Sequence, residues 1–254
     1  MRTIRLHLPA ESIDGSLTSG RQVALPESVA QHVTRVLRLR AGAAVAVFDG
    51  TGGEWSAQLV MGGRDRLLIE IGTHQAIERE SPLSLTLWQG LARGERMDLV
   101  IQKATELGVK RIVPLATARS VVQLDAVRGE KRLSHWLAIA ASACEQCGRN
   151  RLPEIVPPRD LPAALADILT GTQEPRWLLE PSADRSLGEA LAEQRRLEQA
   201  TVLIGPEGGF DDEEMGAAAR AGFEPVRFGP RALRTETAGL AVLAALQSRA
   251  GDLA

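Results

Sequence analysis

Apolar and polar residues alternate with a period of two through much of the first 72 positions, and the rhythm changes after them. IRLHL (4–8), AAVAVFDG (43–50), EWSAQLV (54–60) and DRLLIEIG (65–72) are short alternating runs separated by glycine-containing turns. They predict β-strands joined tightly. One helix, about Glu27 to Leu37, interrupts them. Several short strands with a single helix suit a small barrel. The polar stretch GTHQAIERESP (72–82), closed by Pro82, reads as a linker.

From there strands and helices alternate. Expected strands are LSLTLW (83–88), RIVPL (111–115), PEIV (153–156), RWLLE (176–180), TVLI (201–204) and EPVRF (224–228). Expected helices lie near 95–107, 129–147, 160–170, 186–199, 211–221 and 235–250. In the first, Met97, Val100, Ile101, Ala104 and Leu107 share a face and Gly108 stands at the stop. The helix at 211 opens on Asp211, Asp212, Glu213 and Glu214, which complement the positive end of its dipole. Thr235 is the expected N-cap of the last helix. That helix is rich in Ala and Leu and poor in charge until Arg249, so it should be buried nearly all round, within its domain or against a second subunit. The chain therefore reads as α/β, with a β-barrel domain over 1–72 and a largely parallel sheet covered by helices over 73–254.

Composition narrows the class without naming a ligand. The 254 residues are 44% hydrophobic and 24% charged, as in ordinary globular proteins. No apolar run reaches the roughly 18 residues of a membrane span, and MRTIRLHLPAES lacks a signal-peptide core, so a cytoplasmic location is expected. Net charge is only −2. Among the 30 basic residues lysine occurs only at Lys103, Lys110 and Lys131. Arginine's planar fork suits phosphates and base edges, although such a bias more often reflects genome composition. The clusters Arg35/Arg38/Arg40, Arg93/Arg96, Arg149/Arg151 and Arg231/Arg234 are the informative part. The only cysteines, Cys144 and Cys147, share one face of a helical pattern. With no second ligand pair they predict packing rather than zinc, a redox role being the alternative, and no metal site is expected.

The chemistry concentrates in LIGPEGGF (203–210) and FGPRALRTETA (228–238). Each is a strand-like run that breaks into Gly and Pro before a helix, which brings bare backbone groups close to a ligand. Two such breaks near each other suggest one site built from adjacent loops. LIGPEGGF has neither the lysine and hydroxyl of a P-loop nor GxGxxG spacing. Glu207 would repel a pyrophosphate and favour a neutral or cationic ligand, unless it is simply solvated. Arg231 and Arg234 suit an RNA phosphate or negative charge on a reacting base, or are ordinary surface arginines.

LIGPEGGF and FGPRALRTETA, preceded by RGERMDLVIQKATELGV (93–109) and ACEQCGRNRLPEI (143–155), closely resemble the RsmE family of bacterial ribosomal RNA methyltransferases, in the SPOUT superfamily. HVTRVLRLRAG (32–42) followed by a DG turn is similar too, so the resemblance covers nearly the whole chain. It implies a PUA-like N-terminal β-barrel that engages RNA and a C-terminal α/β domain with a deep trefoil knot, an exception to the rule against knots. It implies a homodimer, S-adenosylmethionine as cofactor, and methylation of N3 of a uridine in 16S ribosomal RNA, naked or in the small ribosomal subunit. Carried over by position, the cofactor would touch Leu179, Glu180, Pro181, Ile204, Gly205, Pro206, Glu207, Gly208, Gly209, Phe228, Gly229, Leu233, Arg234, Thr235, Thr237 and Ala238. The imide proton of the base must leave, so Arg234 is the expected stabiliser of the anion and Glu236 a base, or else only a partner of an arginine. RNA contacts are expected at Arg2, Arg5, Arg35, Arg38, Arg93, Arg96, Lys103, Arg149, Arg151 and Arg231, each with a plain solvated alternative; Lys103 and Glu106 are also spaced for an intrahelical pair. Three competing readings are a SPOUT enzyme acting on transfer RNA, an RNA-binding protein without catalysis, and a nucleotide-dependent Rossmann enzyme, the last weakened by Glu207.

Overall fold

The computed structural model describes residues 3–9, 12–13, 16–63, 66–120, 126–168 and 174–253. The chain divides into two compact units, 1–80 with 141–152, and 81–140 with 153–254.

In the first unit the strands are β1 (Ile4–His7), β2 (Gln22–Ala24), β3 (Ala44–Phe48), β4 (Glu54–Met61) and β5 (Leu67–Gln75). They form one sheet in the order β1-β3-β4-β5-β2, with β1 parallel to β3 and the other neighbours antiparallel. The period-two pattern does the work expected of it: Val45, Val47, Ala57, Leu59, Ile69 and Ile71 turn inward onto Leu6, Leu8 and Val33. The helix is α only over α1 (Glu27–Gln31) and continues as a π-helical turn over His32–Val36, closed by Leu37 N–H donating to the His32 carbonyl at 3.0 Å. In that turn Val33 alone is buried. The three-residue β2 was not anticipated, because QVA is too short to show alternation.

This unit runs past the expected boundary at 72 and takes in 141–152. The reason is polar. Arg149 forks onto the Glu80 carboxylate at 2.8 and 2.6 Å, and Asn150 Nδ2 donates to the Ile77 carbonyl at 2.6 Å. Arg5 donates to the Glu54 carboxylate, to Asn150 Oδ1 at 2.6 Å and to the Arg149 carbonyl at 2.8 Å, with its guanidinium 4.7 Å from the Phe48 ring centroid. The supposed linker therefore supplies partners for buried groups. Cys144 is buried and Cys147 partly so; a hydrogen bond with Cys147 and then burial raise the Cys144 pKa, the setting of a packed thiol.

The second unit is built on seven parallel strands: β6 (Ser84–Gly90), β7 (Arg111–Ala116), β8 (Glu154–Ile155), β9 (Arg159–Asp160), β10 (Arg176–Leu179), β11 (Gln199–Ile204) and β12 (Glu224–Val226). Their order is β12-β10-β11-β6-β7-β8, with β9 also on β7. The helices are α2 (Glu95–Glu106), α3 (Ala126–Cys147), α4 (Leu161–Ala166), α5 (Leu187–Ala192), α6 (Asp212–Arg220) and α7 (Thr235–Ala250). The division between the units falls inside α3, after Ala140. Both sheet faces are covered, which is why the strands read as almost unbroken apolar runs. Leu85, Leu87, Val202 and Ile204 join one core with Met97, Val100 and Ile101 of α2 and Val242, Leu243 and Leu246 of α7. Trp88, Val113, Leu115 and Leu203 join the other with Leu161, Ala218 and Phe223.

Two helices are shorter than their patterns. α4 stops at Ala166 against an expected 170, and α5 at Ala192 against 199, where the charged run Glu193–Arg196 leaves nothing to bury. The last helix also departs from expectation. Its N-cap is Arg234, Thr235 being the first helical residue, and Leu240, Ala241, Ala244 and Ala245 are only half-buried. Among the described residues no helix is long and apolar enough to cross a membrane, and no cluster of potential metal ligands occurs.

Candidate functional site

Parallel strands deliver their carboxyl ends to one edge, and ligands of open α/β sheets bind there. β12, β10, β11 and β6 are successive neighbours, so the loops that leave them lie side by side. Close approach at that edge is enforced by glycine. A Cβ on Gly90, the last residue of β6, would lie 2.5 Å from the Pro206 nitrogen and 2.8 Å from the Gly205 carbonyl carbon. Gly209 and Gly229 have φ of +68° and +75°, backbone that other residues rarely adopt.

The loops enclose a cavity of about 610 Å³, a common size for a small-molecule site. Its walls are apolar at Leu179, Pro181, Ile204, Pro206, Phe210, Phe228 and Leu233, and polar or charged at Arg96, Glu180, Glu207, Arg231, Arg234, Thr235 and Glu236; Gly205, Gly209, Gly229, Ala232 and Ala238 complete it. Every cofactor residue expected from the sequence lines this cavity except Gly208 and Thr237. Gly208 faces the Arg119 side chain and gives its carbonyl to Arg119 Nη1 at 3.1 Å. Thr237 is exposed on the first turn of α7. Phe210, Ala232 and the position of Arg96 were missed; for Phe210 the available signal was a large apolar side chain directly after Gly-Gly.

Thr235 fastens the two loops. Its hydroxyl donates to the Gly205 carbonyl at 2.5 Å and accepts from Gln89 Nε2 at 2.8 Å, both side chains being buried. This explains why Thr235 is not a cap: its hydroxyl is used elsewhere.

Glu207 is not a free carboxylate waiting for a cation. It accepts from the Arg93 backbone N–H at 3.2 Å and from Arg96 Nη1 at 2.8 Å. Partial desolvation works against its charge, but these bonds and one from its own backbone N–H outweigh it and hold its pKa below the usual range. Glu236 is only 8% exposed, and its Oε2 finds no hydrogen-bond partner among the described residues. A buried carboxylate oxygen left bare is costly, so it calls for a donor from a ligand.

The arginines separate into two groups. The Arg5 and Arg149 side chains are buried and hydrogen-bond inside the first unit, Arg5 Nε excepted, so they do not face solvent as the expected RNA contacts would. Arg96 faces Glu207 and Glu236. Lys103 makes the intrahelical pair with Glu106 at 2.8 Å, and Arg151 bonds Glu78 at 3.1 Å. Arg35, Arg38, Arg93, Arg231 and Arg234 are exposed, with Arg38 at φ 52°. Arg2 lies outside the described residues.

Comparisons with known proteins agree along the whole chain. Residues 79–247 match the RNA methyltransferase domain family, and residues 25–72 match the RNA methyltransferase PUA domain. A ribosomal RNA small subunit methyltransferase E from Buchnera aphidicola is 33% identical over 251 residues, which is 98% of this chain and 100% of the relative. A crystal structure of the enzyme so named from Neisseria gonorrhoeae, bound to S-adenosyl methionine, is 36% identical with a TM-score of 0.86, covering both chains fully. A Legionella pneumophila protein solved with the bound cofactor SAM is 36% identical with a TM-score of 0.90, again over all of both chains.

Proposed function

Because this chain belongs to the ribosomal RNA small subunit methyltransferase E family, we propose that it transfers a methyl group from S-adenosylmethionine to N3 of a uridine in 16S ribosomal RNA. The observation that carries the reading is the cavity at the ends of β10, β11 and β12, with apolar walls, backbone loops held open by glycine and an unsatisfied carboxylate oxygen. Its size and lining fit the cofactor: Leu179, Ile204, Phe228 and Leu233 suit an adenine and the carbons around the sulfonium, and the carbonyls and amides of residues 205–209 suit its polar groups. Glu180, Glu207 and Glu236 balance Arg96, Arg231 and Arg234 around this edge, so the cavity has no excess of positive charge to hold the pyrophosphate of a dinucleotide.

When bound, S-adenosylmethionine supplies an electrophilic methyl on a positively charged sulfur. The chain's own task is to prepare the nucleophile. Uridine N3 carries a proton, and Glu236, with Oε2 free to accept, takes it as N3 forms its bond to the methyl carbon. The electrons of the broken carbon–sulfur bond stay on sulfur. Arg234, exposed at the mouth of the cavity, stabilises the negative charge that develops on the base.

RNA is held by Arg35, Arg38, Arg93, Arg151 and Arg231, the first two on residues 1–72, proposed as a PUA-like barrel domain preceding a SPOUT domain over 73–254. The exposure of all five side chains supports that assignment. A trefoil knot at α7 is supported by the path of the chain, which leaves the edge strand β12 and returns to pack α7 on β6 and β11, on the other side of β10. A homodimer is supported by the half-buried apolar stripe Leu240, Ala241, Ala244 and Ala245, and a cytoplasmic location is proposed with the ribosomal RNA substrate. The test is mass spectrometry of nucleosides from 16S ribosomal RNA of a deletion strain, with and without a restored gene. Loss of 3-methyluridine on deletion and its return on complementation are expected; unchanged 3-methyluridine would refute the reaction.

A further inference from the structure

Residues 206–209 form a turn in which Pro206, Glu207 and Gly209 line the cavity and Gly208 does not. The Gly209 N–H closes the turn on the Pro206 carbonyl at 3.0 Å. The carbonyl of the same peptide unit, that of Gly208, accepts from Arg119 Nη1 at 3.1 Å. Both polar ends of one planar unit are therefore held, the first from inside the turn and the second from outside it. Arg119 belongs to the segment that follows β7, which closes on itself: the Ser120 N–H donates to the Thr117 carbonyl at 2.9 Å, and the Thr117 N–H to Ser120 Oγ at 3.0 Å. Ala118 and Arg119 are exposed, so apolar packing does not hold this segment down. Glu214 holds it instead. That residue is only 8% exposed; its Oε2 accepts from the Asp211 N–H at 3.1 Å, completing the cap of α6, and its Oε1 accepts from the Ala118 N–H at 2.8 Å. One carboxylate thus fastens residues 117–120 beside the turn. The approach is close: a Cβ on Gly208 would lie 2.9 Å from Arg119 Cβ and 3.3 Å from the Arg119 carbonyl oxygen.

We propose that Arg119 is a positioning residue for S-adenosylmethionine: standing outside the cavity, it holds the Gly208 carbonyl and so keeps the 206–209 turn in the shape the cofactor needs. The inference rests on the assignment of this cavity to S-adenosylmethionine. Thr235 holds the loop at Gly205, and Arg119 holds it three residues on, at Gly208. Neither glycine has a side chain with which to pack, and glycine loses more freedom than any other residue when it is fixed. A turn left unheld would have to be ordered by the cofactor itself, at the expense of affinity. The guanidinium bond orders it beforehand. Gly208 is required for the contact rather than for its own conformation. Its φ is not positive, so alanine suits the backbone, and the three atoms nearest an added Cβ all belong to Arg119.

The test is calorimetry of S-adenosylmethionine on the full-length protein without RNA, beside the melting temperature of the cofactor-free form. R119M keeps the stem and removes the donors. It is expected to weaken cofactor binding about three- to tenfold, the worth of one such hydrogen bond. Melting should move by no more than about 2 °C, because the side chain is exposed. R119K, which keeps a donor, is expected to recover most of the affinity. G208A is expected to weaken binding to a similar degree. The G208A/R119M double variant should bind no worse than the weaker single one, because both changes open the same seam. In turnover, R119M should raise KM for S-adenosylmethionine and leave kcat within about twofold. Unchanged affinity in R119M, or losses that sum in the double variant, overturns the proposal. So does a rise in KM for RNA alone, which would make Arg119 a phosphate contact. F228A, a change in the cavity wall, separates this result from the site assignment. Wild-type cofactor affinity in F228A removes the cavity reading and the proposal with it; lost affinity in F228A beside wild-type affinity in R119M removes the proposal alone.

Discussion

The hydroxyl of Thr235 lies 2.5 Å from the carbonyl oxygen of Gly205 and donates to it. The first residue of the last helix is thereby fixed to the loop that follows β11, and both bound the same cavity. Thr235→Val keeps the shape and removes the donor. It leaves the Gly205 carbonyl short of a partner, at a cost of about 1–3 kcal/mol. Cofactor affinity measured by calorimetry should fall together with the melting temperature, and Thr235→Ser should restore both.

Gly90 is a second control point, reached through shape alone. Gly90→Ala must push the Gly205–Pro206 peptide away, because its Cβ would sit 2.5 Å from backbone nitrogen. S-adenosylmethionine affinity is expected to drop at least tenfold, about 1.4 kcal/mol. Wild-type affinity in this variant would mean that the loop has slack the packing does not show.

The arginines of the first unit should fall into two experimental classes. Arg149→Met strips a buried fork from Glu80 and leaves that carboxylate uncompensated, so unfolding in urea should show a loss of about 3 kcal/mol. Arg35→Ala and Arg38→Ala should leave stability within about 0.5 kcal/mol. Each should instead weaken RNA binding and reduce its salt slope by about one. Equal effects of all three substitutions on RNA binding would reverse the assignment of Arg149 as structural.

Glu207 makes stability depend on pH with a definite sign. Its folded pKa lies below its ordinary value, so its contribution is complete above that ordinary value and is lost as pH falls through the folded one. The melting-temperature difference between wild type and Glu207→Gln should be positive near neutrality and shrink to nothing in acid. A difference that persists below the carboxylate range would assign the effect to packing.

What the sequence makes legible depends on how local the cause is. Alternation in AVAVF and EWSAQLV and the apolar face of MDLVIQKATEL are written in consecutive residues, so β3, β4 and α2 can be read directly. The ligand loops are legible because two Gly/Pro breaks after strands fall near each other, in segments that resemble one family. The roles of arginines are not legible in this way. Arg149 and Arg151 are two positions apart, yet one is 4% exposed and the other exposed, because Glu80 and Glu78, roughly 70 residues earlier, decide their fates. Thr235 fails as a cap for the same reason: its partner Gly205 is 30 residues away.

The first compact unit is discontinuous in the chain, with residues 141–152 supplying partners to Arg5, Ile77 and Glu80. Synthesis runs from the N-terminus, so the strands of residues 1–80 emerge well before Arg149 and Asn150 exist. Until those residues appear, Glu80 lacks its guanidinium and Arg5 its amide. The unit that begins the chain is therefore completed only after the ribosome has passed into the second, and a gene cut at the apparent linker would encode a sheet with its polar anchors missing.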